Sequence, residues 1–325
     1  MLVQRTLPML GAALAVTALA LAPLGGATAA SSGLAWDSVT KLVQSADAGS
    51  VEPGPFDADY AKAAAVDVPS DSGGGGFFGK MKAAVAAGKS TMQMMQTGMA
   101  EKHYVAGSKE RTDSVSYGKA TIVDCVARTV TTLDMRKKTY RIESLDAHAT
   151  SQPVATHGEP EPEATDDGTK VAIALKTTAL GRKEVGGTQT DGYRSLTKIT
   201  TTKPSGETQS SEGTLLAYYS SYAQPHPECD RFGAREPAQQ TVPAAAGFAR
   251  LAEAMAMVGK EKRFSMTHTG PALPIGRLAM FEANTFKGER SSAATVSFLS
   301  ERGNVRSVSP DDAAFSVPAD FTKQP

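Results

Sequence analysis

Residues 117–143 read YGKATIVDCVARTVTTLDMRKKTYRIE, and this stretch predicts the fold class. Three runs within it, residues 119–125, 129–134 and 139–143, alternate apolar and polar side chains. Alternation with a period of two indicates half-buried β-strands. The connections between the runs are only a few residues long, whereas a parallel pair needs a long crossover. The stretch therefore predicts an antiparallel meander.

Similar runs recur along the rest of the chain. They cover residues 171–175, 198–202, 208–213, 215–222, 278–284, 293–301 and 305–309. Pro204-Ser205-Gly206 is a good turn sequence between two of them. Arg302-Gly303-Asn304 predicts a hairpin between the last two.

Three segments have helical character instead. Residues 34–47 place apolar side chains at helical spacing before Gly49, and residues 77–89 are rich in alanine. Residues 241–258 carry one apolar stripe that includes Phe248, Leu251 and Met255. A helix with a single stripe packs on a sheet face. The predicted fold class is α+β and mainly antiparallel β, with helices on the concave face of a curved, unclosed, barrel-like sheet.

The N-terminus reads as a cleavable export signal. Arg5 precedes an apolar run over residues 9–24, and Ala27-Thr28-Ala29 supplies the small residues that a signal peptidase binds. Cleavage is expected after Ala29, with Ala30 as the alternative. The run is shorter than the roughly 20 residues of a comfortable membrane span, so no transmembrane anchor is expected after cleavage.

The predicted organisation has three parts. A signal peptide over residues 1–29 is followed by a helical, Gly-rich segment over residues 30–90, which contains the hinge-like SGGGG at 72–76. The sheet domain is expected over residues 91–325. Within it, residues 151–168 (SQPVATHGEPEPEATDDG) are acidic and Pro-rich and predict an exposed loop.

Charge and cysteine content narrow the function further. The chain has 34 basic and 34 acidic residues, and this balance argues against nucleic acid as a partner, because phosphate binding needs concentrated positive charge. Two cysteines, Cys125 and Cys229, predict a disulfide in an oxidising compartment. Two unpaired buried thiols are the alternative.

The sequence shows no catalytic constellation. The five histidines are scattered without metal-ligand spacing, and no nucleophile has an evident base partner. A methionine cluster around Met92 and Met94 offers soft thioether ligands for Cu(I). Successive residues of a strand point to opposite faces, so a regular strand does not bring three methionines of this cluster to one metal ion. Flexible apolar filling of a core therefore explains these methionines better. We therefore predict no enzyme, no metal and no cofactor.

Apolar and aromatic side chains are the candidate ligand contacts. Residues 215–222 form the most aromatic strand, and its tyrosines can line a groove or pack on the sheet. The candidates for an apolar ligand site are Met92, Met94, Tyr218, Tyr219, Phe248, Leu251 and Met255.

Several motifs occur in an order that resembles a known family. Residues 103–113 read HYVAGSKERTD, 120–124 read ATIVD and 131–142 read TTLDMRKKTYRI; GGTQTDGY at 186–193 and FSVPADF at 315–321 follow. The order resembles an exported bacterial family of unknown function, which is similar in plan to the LolA/LolB-like periplasmic lipoprotein carriers. The resemblance implies an unclosed β-barrel with a helical lid over an apolar cavity, located in the cell envelope.

These observations predict an exported envelope protein that binds an apolar ligand, such as a lipid or acyl chain, or an envelope partner, without catalysis. A structural or interaction protein of the envelope and a Met-rich copper-binding protein are the alternatives. The periplasm is the expected compartment, with the extracellular medium as the alternative.

Overall fold

The computed structural model describes residues 33–45, 51–66, 96–145, 168–225, 264–288 and 295–324. All of them belong to one compact unit, Ser31–Pro325. The helix α1 covers Phe56–Ala64, and two 3-10 turns cover Val115–Tyr117 and Ala313–Phe315. The strands are β1 (Gly33–Ser45), β2 (Met99–Ala106), β3 (Lys109–Ser114), β4 (Lys119–Asp124), β5 (Thr129–Asp134), β6 (Thr139–Ser144), β7 (Lys170–Val185), β8 (Thr188–Thr202), β9 (Thr208–Ala223), β10 (Phe264–Thr269), β11 (Arg277–Gly288), β12 (Thr295–Val308) and β13 (Thr322–Lys323).

The strands form one sheet in the order β10-β7-β8-β9-β11-β12-β1-β2-β3-β4-β5-β6-β13. Every neighbouring pair is antiparallel except the two outermost pairs, β10 with β7 and β13 with β6, which are parallel. The edges β10 and β13 do not pair with each other, so the sheet is not closed into a barrel. The predicted fold class is confirmed, and the predicted meander is confirmed as β4, β5 and β6.

The helix predicted over residues 34–47 is wrong, because this segment is strand β1. It lies between β12 and β2 and pairs with both. Residues 35–39 are all buried, so the strand has no solvent side and its apolar residues do not alternate. Periodicity alone cannot separate such a doubly buried strand from a helix. The sheet therefore includes a strand of the segment before residue 91.

The hairpin predicted at residues 302–304 is also wrong, because β12 continues through them. The register of β12 against β1 shifts there, and β12 carries one residue more than β1 across the shift. Asn304 adopts a left-handed φ of 54°. Gly-Asn pairs favour left-handed backbone in a β-bulge as readily as in a turn, which explains the misleading signal.

Helix α1 was not predicted and packs on one face of the sheet. Phe56 and Ala63 are two helical turns apart, and both are buried against Val39 of β1 and Ala100 of β2. Asp57 lies in the first turn of α1, where a negative charge favours the helix dipole. We call the sheet face under α1 the helix face, and the opposite face the far face.

The C-terminal segment covers the helix face next to α1. After β12 the chain crosses β1 to β6 and ends as β13 beside β6. Phe315 packs on Ala35 and Ala106, while Val317 and Phe321 pack on the cluster that contains Leu133. The FSVPADF motif at residues 315–321 therefore packs across β1, β2 and the meander.

Several predictions lie outside the described residues. They are the signal peptide over 1–29, the helix over 77–89, all but the last residue of the acidic loop over 151–168, and the helix over 241–258. In the part of the chain that the structure describes, no helix combines the length and apolar character of a membrane span.

Candidate ligand-binding site

The two described ligand candidates, Tyr218 and Tyr219, are both buried in β9 but point to opposite faces. Tyr218 lies opposite Phe281 on the helix face, and Tyr219 lies opposite Ala279. The structure therefore does not bring them together in one groove. The other candidates, Met92, Met94, Phe248, Leu251 and Met255, lie outside the described residues.

Tyr218 is part of the core on the helix face. Its ring packs edge-on against Phe281, with ring centroids 6.0 Å apart, and the Lys183 Nζ lies 5.6 Å from its centroid. Burial, followed by the nearby Glu52 carboxylate, raises the pKa of Tyr218. These contacts account for the side chain without a ligand.

Tyr219 lies on the far face, where its ring packs against Ala217 and edge-on against Tyr193. Only 1% of Tyr219 is exposed. Its hydroxyl has no hydrogen-bond partner among the described residues. Burial, followed by the Glu282 carboxylate, raises the pKa of Tyr219, so the hydroxyl stays protonated.

Two polar side chains of β11 lie on the same far face as Tyr219. Glu282 pairs across the sheet with Ala217, and Asn284 pairs with Leu215. They are 2% and 5% exposed. Glu282 Oε1 and Asn284 Oδ1 accept no hydrogen bond from any described residue. Leaving a buried polar group unpaired costs about 1–3 kcal/mol, so such atoms are rare without a role.

Arg302 partly neutralises Glu282. Its Nη1 and Nη2 lie 3.4 Å and 3.5 Å from Glu282 Oε2, and Nη1 also donates to the Ala279 carbonyl. Arg302 pairs across the sheet with Ser38 of β1 and comes directly before the bulge of β12. Ser38 and Arg302 are directly opposite each other in regular register, so strand alternation places the guanidinium on the far face.

A serine and a histidine extend this polar region onto β1 and β2. Ser38 Oγ lies 3.0 Å from His103 Nε2, and the His103 ring stacks on Trp36 at 5.1 Å. Burial lowers the pKa of His103, although the Glu101 carboxylate opposes that effect. The histidine is therefore held toward its neutral form. Trp36 Nε1 is buried and has no partner among the described residues.

Ser38, His103 and Glu101 do not have the geometry of a catalytic triad. Glu101 Oε2 lies 3.5 Å from His103 Nε2, the same ring nitrogen that contacts Ser38. A triad needs the acid and the nucleophile at opposite ring nitrogens, so that one orients the imidazole while the other loses its proton. Glu101 Oε1 also accepts a hydrogen bond from the Ser114 hydroxyl.

We call this group the far-face polar cluster. Its members are Ser38, His103, Tyr219, Glu282, Asn284 and Arg302. The described residues contain no group of three or more His, Cys, Asp or Glu side chains that could hold a metal ion. The cluster can donate and accept hydrogen bonds in a region shielded from water, which suits binding of a polar group.

Apolar side chains continue the far face beyond the cluster. The row through Asn284 also contains Leu215 of β9, Phe298 of β12 and Leu42 of β1, which the strand register places side by side. The far face is thus polar at Arg302, and two rows away Asn284 is flanked by apolar side chains.

Sequence reasoning missed the cluster because its members come from distant strands. Glu282 and Asn284 alternate with apolar residues in the predicted strand over 278–284, and such a pattern is typical of a solvent-facing side. Arg302 was assigned to a turn. The period-two spacing of Glu282 and Asn284 was the one local signal, since it places both on a single face.

No family model, no curated protein and no solved structure matches the chain. The resemblance to the LolA/LolB-like carriers accordingly stays an expectation from the sequence motifs.

Proposed function

We propose that this chain is an exported envelope protein that binds an amphiphilic, largely apolar ligand on the far face of its sheet, without catalysis. The periplasm is the proposed compartment, with the extracellular medium as the alternative. The export signal read from residues 1–29 and the balanced charge of the chain support this part of the proposal.

One observation carries the proposal: buried polar atoms without partners lie next to an apolar row on the same face. Tyr219, Glu282 and Asn284 each contribute one such atom. A ligand with a polar end can satisfy them, and its apolar part can lie along Leu215 and Phe298. Each CH₂ group removed from water contributes about 0.8 kcal/mol, so an acyl chain gives useful affinity.

A disulfide between Cys125 and Cys229 belongs to the same proposal. Cys125 follows β4 and is only 2% exposed, and Cys229 lies outside the described residues. An oxidising compartment favours such a bridge, which would tie the meander to the segment after β9.

The proposal is tested by a dye and by extraction. The full-length protein is purified without detergent, organic extracts are examined by mass spectrometry, and binding of the uncharged apolar dye N-phenylnaphthylamine is measured by fluorescence. Ser300 lies opposite Glu282 on the far face and is partly exposed, so Ser300→Phe should block the site. We expect its dye affinity to fall about tenfold or more, equivalent to about 1.4 kcal/mol.

Ser265→Phe is the matched control. Ser265 is exposed on the edge strand β10, four strands from β11 in the sheet order. It should bind the dye like the unmodified protein. A protein that yields no extractable ligand and binds no dye would refute the proposal, as would equal dye binding by the two variants.

A further inference from the structure

The far-face polar cluster also indicates the chemistry of the ligand's polar end, and this inference rests on the proposed function. Glu282 and Asn284 are two residues apart on β11, roughly 7 Å along the strand, and both are more than nine-tenths buried. Tyr219 comes from the neighbouring strand β9. Glu282 pairs with Ala217, one row from Tyr219, and Asn284 lies one row further on, so Glu282 stands between the other two on the far face.

The unpaired atoms are mostly hydrogen-bond acceptors. An ionised carboxylate only accepts, and so does an amide oxygen. Glu282 Oε1 and Asn284 Oδ1 therefore both need a donor from the ligand. The Tyr219 hydroxyl can donate or accept. A ligand group that only accepts, such as a carboxylate or a phosphate, would leave two of the three atoms unpaired.

The charges of the cluster also disfavour a charged head group. Arg302 lies within 3.5 Å of Glu282 and donates to the Ala279 carbonyl, so its charge is already balanced. An anionic head group would meet the unpaired Glu282 oxygen in a site of low polarity, where like charges repel strongly. A cationic amine would lie next to the Arg302 guanidinium beside that same carboxylate, and the two positive charges would repel each other.

Hydroxyl groups avoid both penalties. Each hydroxyl donates one hydrogen bond and accepts others, so it can serve Glu282 and the Tyr219 hydroxyl together. We propose that the ligand's polar end is an uncharged, hydroxyl-bearing group, as in a monoacylglycerol, and that Glu282 and Asn284 accept hydrogen bonds from it.

The test compares three ligands that share one twelve-carbon chain and differ in the head group. Monododecanoylglycerol, dodecanoate and dodecylamine compete with N-phenylnaphthylamine on the full-length protein at neutral pH, below their micelle concentrations. We expect the glycerol ester to bind about tenfold tighter than either charged ligand, because only the ester can pair the buried acceptors without a charge penalty.

Two variants locate the selectivity. Glu282→Gln removes the charge that repels dodecanoate. The affinity of this variant for dodecanoate should therefore come to within about threefold of its affinity for the ester, a difference of roughly 0.7 kcal/mol. Glu301→Gln is the matched control, because Glu301 is equally buried at 2% exposure but faces α1. It should keep the preference of the unmodified protein. Asn284→Leu should weaken the ester and leave dodecanoate unchanged.

The outcomes separate the two proposals. Dodecanoate or dodecylamine binding as tightly as the ester would overturn the head-group inference and leave the proposed function in place. Equal selectivity in Glu282→Gln and Glu301→Gln would also overturn the inference. Failure of all three ligands and of the dye to bind would refute the proposed function itself. The comparison on the unmodified protein does not depend on whether a variant folds.

Discussion

Replacement of Gly303 by alanine should destabilise the fold through α1. Gly303 lies in β12 beneath the ring of Phe56, and a methyl group there would lie 2.5 Å from Cε1 and 2.9 Å from Cγ of that ring. These distances are shorter than carbon atoms tolerate, so α1 has to move away from the sheet. Overpacking of this kind costs about 1–3 kcal/mol.

The magnitude can be assigned to one contact by a double-mutant cycle. Phe56→Ala alone should cost about 3–5 kcal/mol, because Phe56 is only 6% exposed. In the Phe56→Ala background the alanine at position 303 meets no ring. Gly303→Ala should then change the free energy of unfolding by less than about 0.5 kcal/mol. The coupling free energy between positions 56 and 303 should therefore be about 1–3 kcal/mol in favour of the double variant.

The assay is urea unfolding followed by circular dichroism, with the free energy of unfolding extrapolated to water. Gly276→Ala is the control, because a methyl group there meets nothing within 4 Å. It should change the free energy of unfolding by less than about 0.5 kcal/mol. If Gly303→Ala costs the same with and without Phe56, the reasoning that places α1 on β12 is refuted.

Three further predictions concern the bulge, a buried carboxyl and the cysteines. Asn304→Ala and Asn304→Gly both lose the 3.0 Å hydrogen bond from Asn304 to Asp37, so they differ only in how well they tolerate the left-handed backbone. The alanine variant should therefore be less stable than the glycine variant by about 1–2 kcal/mol. Equal urea midpoints of the two variants would contradict the bulge. Burial raises the pKa of Glu301 above its ordinary 4.5, so the stability of the unmodified protein relative to Glu301→Gln should fall as the pH rises from 4 to 7.5. A pH-independent difference would argue against that raised pKa. Unreduced, denatured protein should show no reactive thiol, and reduction should lower the free energy of unfolding by up to about 4–5 kcal/mol; two reactive thiols would exclude the Cys125–Cys229 bridge.

The meander could be predicted because its signals are local. Strands β4, β5 and β6 alternate in pattern, and the short turns between them permit antiparallel pairing only. The runs predicted over residues 208–213 and 215–222, after the Pro204-Ser205-Gly206 turn, are both strand, and the structure joins them as β9. In these segments the neighbours in sequence are also the neighbours in the sheet, so the chain itself carries the information.

Prediction failed where the neighbours come from distant parts of the chain. Strand β1 lies between β12 and β2, which come from distant parts of the chain. Its apolar residues have helical spacing, and no nearby sequence signal favours a strand instead. Residues 302–304 suit a turn and a bulge equally well, and the choice depends on β1 being present opposite them. In both cases long-range pairing overrides a local preference.

The candidate site shows the same division. The sequence by itself determined the strand class, the alternation that places Glu282 and Asn284 on one face, and the neutral charge. Only the tertiary structure decided that Ser38, His103 and Arg302 join Glu282 on one face. The physical reason is that burial and hydrogen-bond satisfaction depend on every strand around a side chain, whereas periodicity reports only on the strand that carries it.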